Sequence, residues 1–278
     1  MLDKPRTYRH SLVEFILGMV ILVIVGISIL PAFLRVLLIG IVFLSVLYLI
    51  TQKMVISDEG IFAQTILDEK FLRWDEISRV SGRGDGIKLY NFNGDVTIAP
   101  SPNLFGYEEI VYFIGNKRPD LFDPQEYGVM KQSASVQVML DVLAVASVGV
   151  LLVVGVLFFY KRESSAFLLP LSLLVFIPVG MFAVISFFQV QAVILDGKYL
   201  HLKYLLQEKT LSADEIESIS LCYFKTWQTR GMGIKNYFIM LVQKHKETIR
   251  ISRLSPCVPI VYLVLKNWHK KNVQIKTD

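Results

Sequence analysis

Residues 134–160 read ASVQVMLDVLAVASVGVLLVVGVLFFY, the polar break KRESS occupies 161–165, and AFLLPLSLLVFIPVGMFAVISFFQV runs on to Val190. No charge occurs within 142–160 or within 164–195. A helix rises about 1.5 Å per residue, so ~20 apolar residues match a hydrocarbon core ~30 Å thick. Soluble helices keep a polar face at the helical period, and neither half shows one. The stretch therefore predicts a pair of membrane-crossing helices joined by a tight turn. Moving outward, a second such pair lies near the start, where 15–30 and 36–52 flank PAFLR at 31–35. The expected architecture is four α-helical spans in two transmembrane hairpins, at 11–52 and 135–190.

Composition points the same way. Of 278 residues, 53% are hydrophobic and only 19% charged, and the mean hydropathy is +0.50. The formal net charge of +5 suits loops facing anionic lipid better than nucleic acid, which is excluded as a partner. Lys4, Arg6, Arg9, Lys53, Lys131 and the basic tail outweigh Arg35, Lys161 and Arg162 on the opposing loops. That bias places both termini in the cytoplasm of a multi-pass protein of the cell membrane.

Between and after the apolar pairs the pattern changes to short β-type runs with turn signals. From Lys53 these are KMVIS, IFAQTIL, FLRW, DEISRV, IKLYNF and VTIAP, with Asn93-Gly94 marking a hairpin. GYEEIVYFIGNKRPDLF (106–122) then places apolar residues at helical spacing. From Gln191 the order returns: VILDGKY (193–199) matches VISDEGI (55–61), and ADEIESI (213–219) matches WDEISRV (74–80). RGMGIK (230–235) matches RGDGIK (83–88), and IVYLVLKN (260–267) matches IVYFIGNK (110–117). Four matches in order indicate a duplication with small loop insertions in the second copy. The domain plan is a tail at 1–10, the first hairpin, a β-unit at 53–122 and a linker at 123–134. The second hairpin, a β-unit at 191–272 and a basic tail at 273–278 follow.

An apolar hairpin followed by VISDEGI, WDEISRV, a glycine loop, an NG hairpin and EEIVYFIGNK resembles the bacterial pleckstrin-homology-like domains fused to paired transmembrane helices. The resemblance covers most of the chain as two copies. It implies, for each copy, an antiparallel β-barrel or sandwich plugged by a C-terminal helix. Eukaryotic relatives that bind phosphoinositides carry a basic cluster at their first hairpin turn, whereas SDEG (57–60) and LDGK (195–198) here are largely acidic.

Sites are sparse. Cys222 and Cys257 stand alone, and His10, His201, His245 and His269 have no Glu or Cys at ligand spacing. GxSxG and HExxH are absent, so neither an enzyme, a metal nor a cofactor is indicated. GRGDG (82–86) lacks the Lys-Ser/Thr of a phosphate loop and reads as a glycine turn. Asp141 reads as an interfacial carboxylate, and Pro170 and Pro178 as bends. Trp74 is expected to pack on the first closing helix near Ile110 and Phe113. Because a turn does not require the flanking cations, Arg83, Lys88, Arg230 and Lys235 are the candidate contacts to lipid headgroups or an acidic partner. The function expected is non-catalytic: a membrane-tethered interaction or scaffold protein presenting two cytoplasmic units to a protein or anionic lipid, or to a second copy. The alternatives are a small membrane transporter or enzyme, in which Asp141 matters, and a regulatory subunit of a membrane complex.

Overall fold

The first hairpin of each β-unit shows how local sequence sets the architecture. Lys53–Ile56 (β2) turns Met54 and Ile56 inward and pairs with Gly60–Gln64 (β3), Ile56 facing Ile61. Ala192–Asp196 (β9) pairs with Tyr199–Lys203 (β10) across a two-residue turn, Asp196 facing Tyr199. Glu69–Arg73 (β4) and Glu208–Ser212 (β11) extend the two sheets. In this computed structural model, residues 5–10, 12–29, 31–83, 85–132, 149, 188–227, 233–244 and 247–274 are described.

Each sheet takes its fourth strand from upstream, from segments that read as tail and linker. Arg6–Arg9 (β1) pairs antiparallel with β2, and Val129–Lys131 (β8) with β9. The sheets are β1-β2-β3-β4 and β11-β10-β9-β8, and the apolar segments are insertions between their first two strands. Each copy adds a three-stranded sheet. The first comprises Arg79–Arg83 (β5), Gly86–Tyr90 (β6) and Val96–Ile98 (β7). The second comprises Ile216–Trp227 (β12), Gly233–Gln243 (β13) and Thr248–Ile251 (β14). Gly94, at φ +83, closes β6 onto β7, and Asn91 Oδ1 accepts from Asp95 N at 3.0 Å.

The insertion in the first copy forms helices Leu12–Ile29 (α1) and Ala32–Thr51 (α2). These correct the four-span expectation. Among the described residues, no helix is long and apolar enough to cross a membrane. Glu14 and Arg35 fall in the first turns, leaving uncharged helix over 15–29 and 36–51. At 1.5 Å per residue these reach ~22 and ~24 Å, short of a ~30 Å hydrocarbon core. The integral bilayer partnership and the multi-pass placement with cytoplasmic termini fall with the spans, and four antiparallel sheets dominate the described structure. The second apolar pair, with Asp141, Pro170 and Pro178, lies outside the described residues apart from Gly149 and 188–190.

The closing helices are Tyr107–Lys117 (α3) and Val258–Gln274 (α4), and α4 joins the copies. A helix on one sheet buries a stripe, but α4 buries Val258 and every residue from Ile260 to Leu265. It lies between β12 and β13 of its own copy and α3, β6 and the 3₁₀ turn Pro119–Phe122 of the other. At ~1.5–3 kcal/mol per buried aliphatic side chain these residues contribute substantially to the fold, and because they pack on both copies at once they tie the two together. Buried residues of both copies form one continuous core. Trp74 belongs to it, its indole N–H donating to Ser57 O at 3.1 Å, with Ile110 in the same core and Phe113 packed against it.

Candidate functional site: the joint and cleft between the repeats

The second copy differs from the first mainly in one hairpin. β12 and β13 pair from Ile216↔Gln243 to Trp227↔Gly233, while β14 covers only Ile239 to Val242 of β13. The overhanging ribbon reaches onto the first copy at the start of α3. Lys235, 8% exposed, donates from Nζ to Leu104 O at 2.9 Å and lies 3.5 Å from Glu108 Oε1. Its ammonium sits 4.4 Å from the Tyr223 ring centroid. The Tyr237 hydroxyl is 2.9 Å from both Glu108 Oε1 and Pro102 O, and its ring lies 5.3 Å from that of Tyr107. Burial, then the Glu108 carboxylate, pushes the Tyr237 hydroxyl far above its ordinary pKa.

Beside this joint the first copy contributes Asp85. Tyr107 fixes its loop, donating to Asp85 O at 3.0 Å while accepting from Ile87 N at 3.1 Å. The carboxylate accepts from Tyr237 N at 3.1 Å, which favours its charged form, but burial outweighs that and raises its pKa. Asp85 lines a cleft of about 280 Å³ with Asn236, Phe224, Arg250, Arg253 and Phe188. The Arg250 guanidinium is 4.1 Å from the Phe238 ring centroid and 4.7 Å from that of Phe224. Arg253 holds φ at +60, a left-handed conformation that costs a non-glycine residue roughly 1–3 kcal/mol. Among the described residues neither arginine has an ion-pair partner.

Of the four candidate contact cations, the described residues place two. Lys235 is enclosed in the joint, and Lys88 is half-buried in the middle of β6. Arg83 ends β5, with its side chain outside what is described, and Arg230 lies outside the described residues. Gly82, read as part of a turn, is a strand residue without positive φ. A Cβ there would overlap the Cys257 side chain at the start of α4, so close approach of the copies is what requires glycine. Burial drives the Cys257 thiol up to about 12.

Sequence reading missed Asp85, Arg250 and Arg253. Asp85 reads as a turn residue, and the two arginines lie outside the four repeated motifs. One signal was present: in TIRIS the apolar Ile249 and Ile251 alternate with Arg250, which puts the arginine on the sheet's outer face. No family model and no curated protein matches the sequence.

Proposed function

We propose that this chain is a non-catalytic interaction protein: the fused repeats form a rigid platform, and the α1–α2 pair docks it on an apolar surface of a protein partner. The observation that carries this is the exposure of that pair. Ile29, Phe33, Val36, Phe43 and Leu44 are 63–76% exposed, and further apolar side chains on both helices join them. The hydroxyls of Ser28 and Ser45 are spent on the carbonyls of Ile24 and Ile41, at 2.9 and 2.8 Å, so they add little polarity to this surface. Contiguous apolar patches of this extent mark interaction sites. Covering those five side chains alone is worth ~8–15 kcal/mol. The strand order that resembles pleckstrin-homology-like units also supports a binding role, since that fold serves mainly as a recognition platform.

The test places a photoreactive amino acid at Phe43 or Leu44 of the full chain in living cells. A discrete protein–protein adduct is expected, absent when the probe sits at Glu69 on β4. An adduct of twice the chain's mass makes the partner a second copy. Label that ends on lipid alone, or no adduct, overturns the proposal.

A further inference from the structure

We propose that the cleft between Asp85 and the Arg250–Arg253 segment binds a small organic anion. A phosphate or carboxylate group meets the two guanidiniums, and an attached aromatic or apolar group lies against Phe188 and Phe224. This does not rest on the docking role of α1–α2.

Several independent features converge. The first copy contributes Asp85 to walls that otherwise come from the second copy and from Phe188 and Gln189 leading into it. Arginine offers a planar fork of donors that matches carboxylate and phosphate oxygens. Arg250 is held against Phe224 and Phe238, so little of its side-chain freedom remains to be lost on binding. Arg253 keeps an unfavourable backbone conformation, a kind of strain that clusters at ligand sites. Phe188 and Phe224 are 73% and 42% exposed, so apolar surface borders the cleft. Asp85 sits in the same cleft and disfavours a polyanion, so the fit is to one anionic group. The residual acceptor capacity of Asp85 suits a hydroxyl or amine on the ligand.

A second cavity, about 410 Å³ beside Trp268, lacks these properties. Its cation, Lys271, is paired with Asp123 at 3.1 Å, and Trp268 and Asn272 both donate to Gly197 O.

The test titrates the purified full chain with phenyl phosphate, benzoate, inorganic phosphate and phenol by calorimetry. Phenyl phosphate or benzoate is expected to bind at least about tenfold tighter than phosphate or phenol, and the tighter of the two names the anion. The double variant Arg250→Gln/Arg253→Gln should lose about tenfold or more of that affinity while keeping the wild-type far-ultraviolet circular dichroism and a cooperative unfolding transition. Wild-type binding should weaken as salt is raised. If the double variant does not fold, Arg253→Gln alone, at an exposed position, is expected to weaken binding in the same direction. Equal affinity in a folded variant, phenol binding as tightly as phenyl phosphate, or no binding of either aromatic anion overturns the proposal.

Discussion

Replacing Lys235 with methionine separates two views of this residue. As a surface cation it would contribute within about ±0.5 kcal/mol of nothing to stability. The structure instead encloses it, with Nζ 2.9 Å from Leu104 O, 3.5 Å from Glu108 Oε1 and 4.4 Å from the Tyr223 ring centroid. A hydrogen bond from a charged donor is worth ~1.5–3 kcal/mol, and a desolvated cation–π contact up to ~2. Against this, methionine keeps the aliphatic packing and avoids the cost of burying an ammonium. Glu108 also retains the Tyr237 hydroxyl at 2.9 Å, and Leu104 O retains the Tyr107 N–H, so neither acceptor is stranded. The net loss expected is about 2–3 kcal/mol, which lowers the thermal midpoint of a chain this size by roughly 5–10 °C. The assay is thermal unfolding of the full chain, followed by near-ultraviolet circular dichroism because the joint holds Tyr107, Tyr223 and Tyr237. A double-mutant cycle with Glu108→Gln should return a coupling of about 1 kcal/mol or more. A midpoint within about 1 °C of wild type, or a coupling indistinguishable from zero, refutes the enclosed joint.

Three further outcomes follow from the same geometry. Asp85→Asn keeps an acceptor for Tyr237 N and removes a buried charge. Because burial raises the folded pKa of Asp85, its contribution to stability is present at acid pH and lost as pH rises. The variant should therefore melt higher than wild type at pH 7, and the gain should vanish as pH falls below the ordinary carboxylate range; a lower midpoint at pH 7 contradicts this. Gly82→Ala drives a methyl into Cys257 and should cost about 1–3 kcal/mol by urea unfolding, with Cys257→Ala recovering part of the loss in the double variant. Burial raises both Cys257 and Tyr8 to about 12, from ordinary values of 9.0 and 10.0. Their stabilisation is complete below about pH 9 and is lost as pH rises to about 12, by up to ~1.4 kcal/mol per pH unit for each group. Urea midpoints across that window check it, and Cys257→Ala should lessen the loss between about pH 9 and 12.

The elements that were legible in the sequence are those fixed by local chemistry. Asn93-Gly94 announces a turn because glycine supplies a positive φ at no steric cost, and Asp196-Gly197 does the same in the second copy. The first closing helix was legible from apolar spacing, since EEIVYFIGNK buries Ile110, Val111 and Ile114 on one face. Strands β1 and β8 were not. RTYR and VMK are too short to show a period, and each joins its sheet only by pairing across an inserted apolar segment. The apolar runs misled because hydropathy averages over Glu14 and Arg35, whereas what counts is the length of uncharged helix between the charges and the helix ends.

The candidate site was hidden for a different reason: it is a property of the pair of repeats and of neither alone. The matched RGDGIK and RGMGIK motifs invite the inference that matched residues do the same work. They do not, because the copies are joined asymmetrically. The loop of the first copy is pressed into the joint, where Gly82 meets α4 and Asp85 meets β13. The hairpin of the second copy is longer and reaches out, so Lys235 serves the first copy rather than solvent. A duplication that fuses in this way frees each copy from presenting the same surface twice. What remains accessible is the crevice where the two meet, and its cations, Arg250 and Arg253, come from a segment with no counterpart among the repeated motifs. Residues that the repeat pattern leaves unexplained are therefore the better guide to function here than those that it repeats.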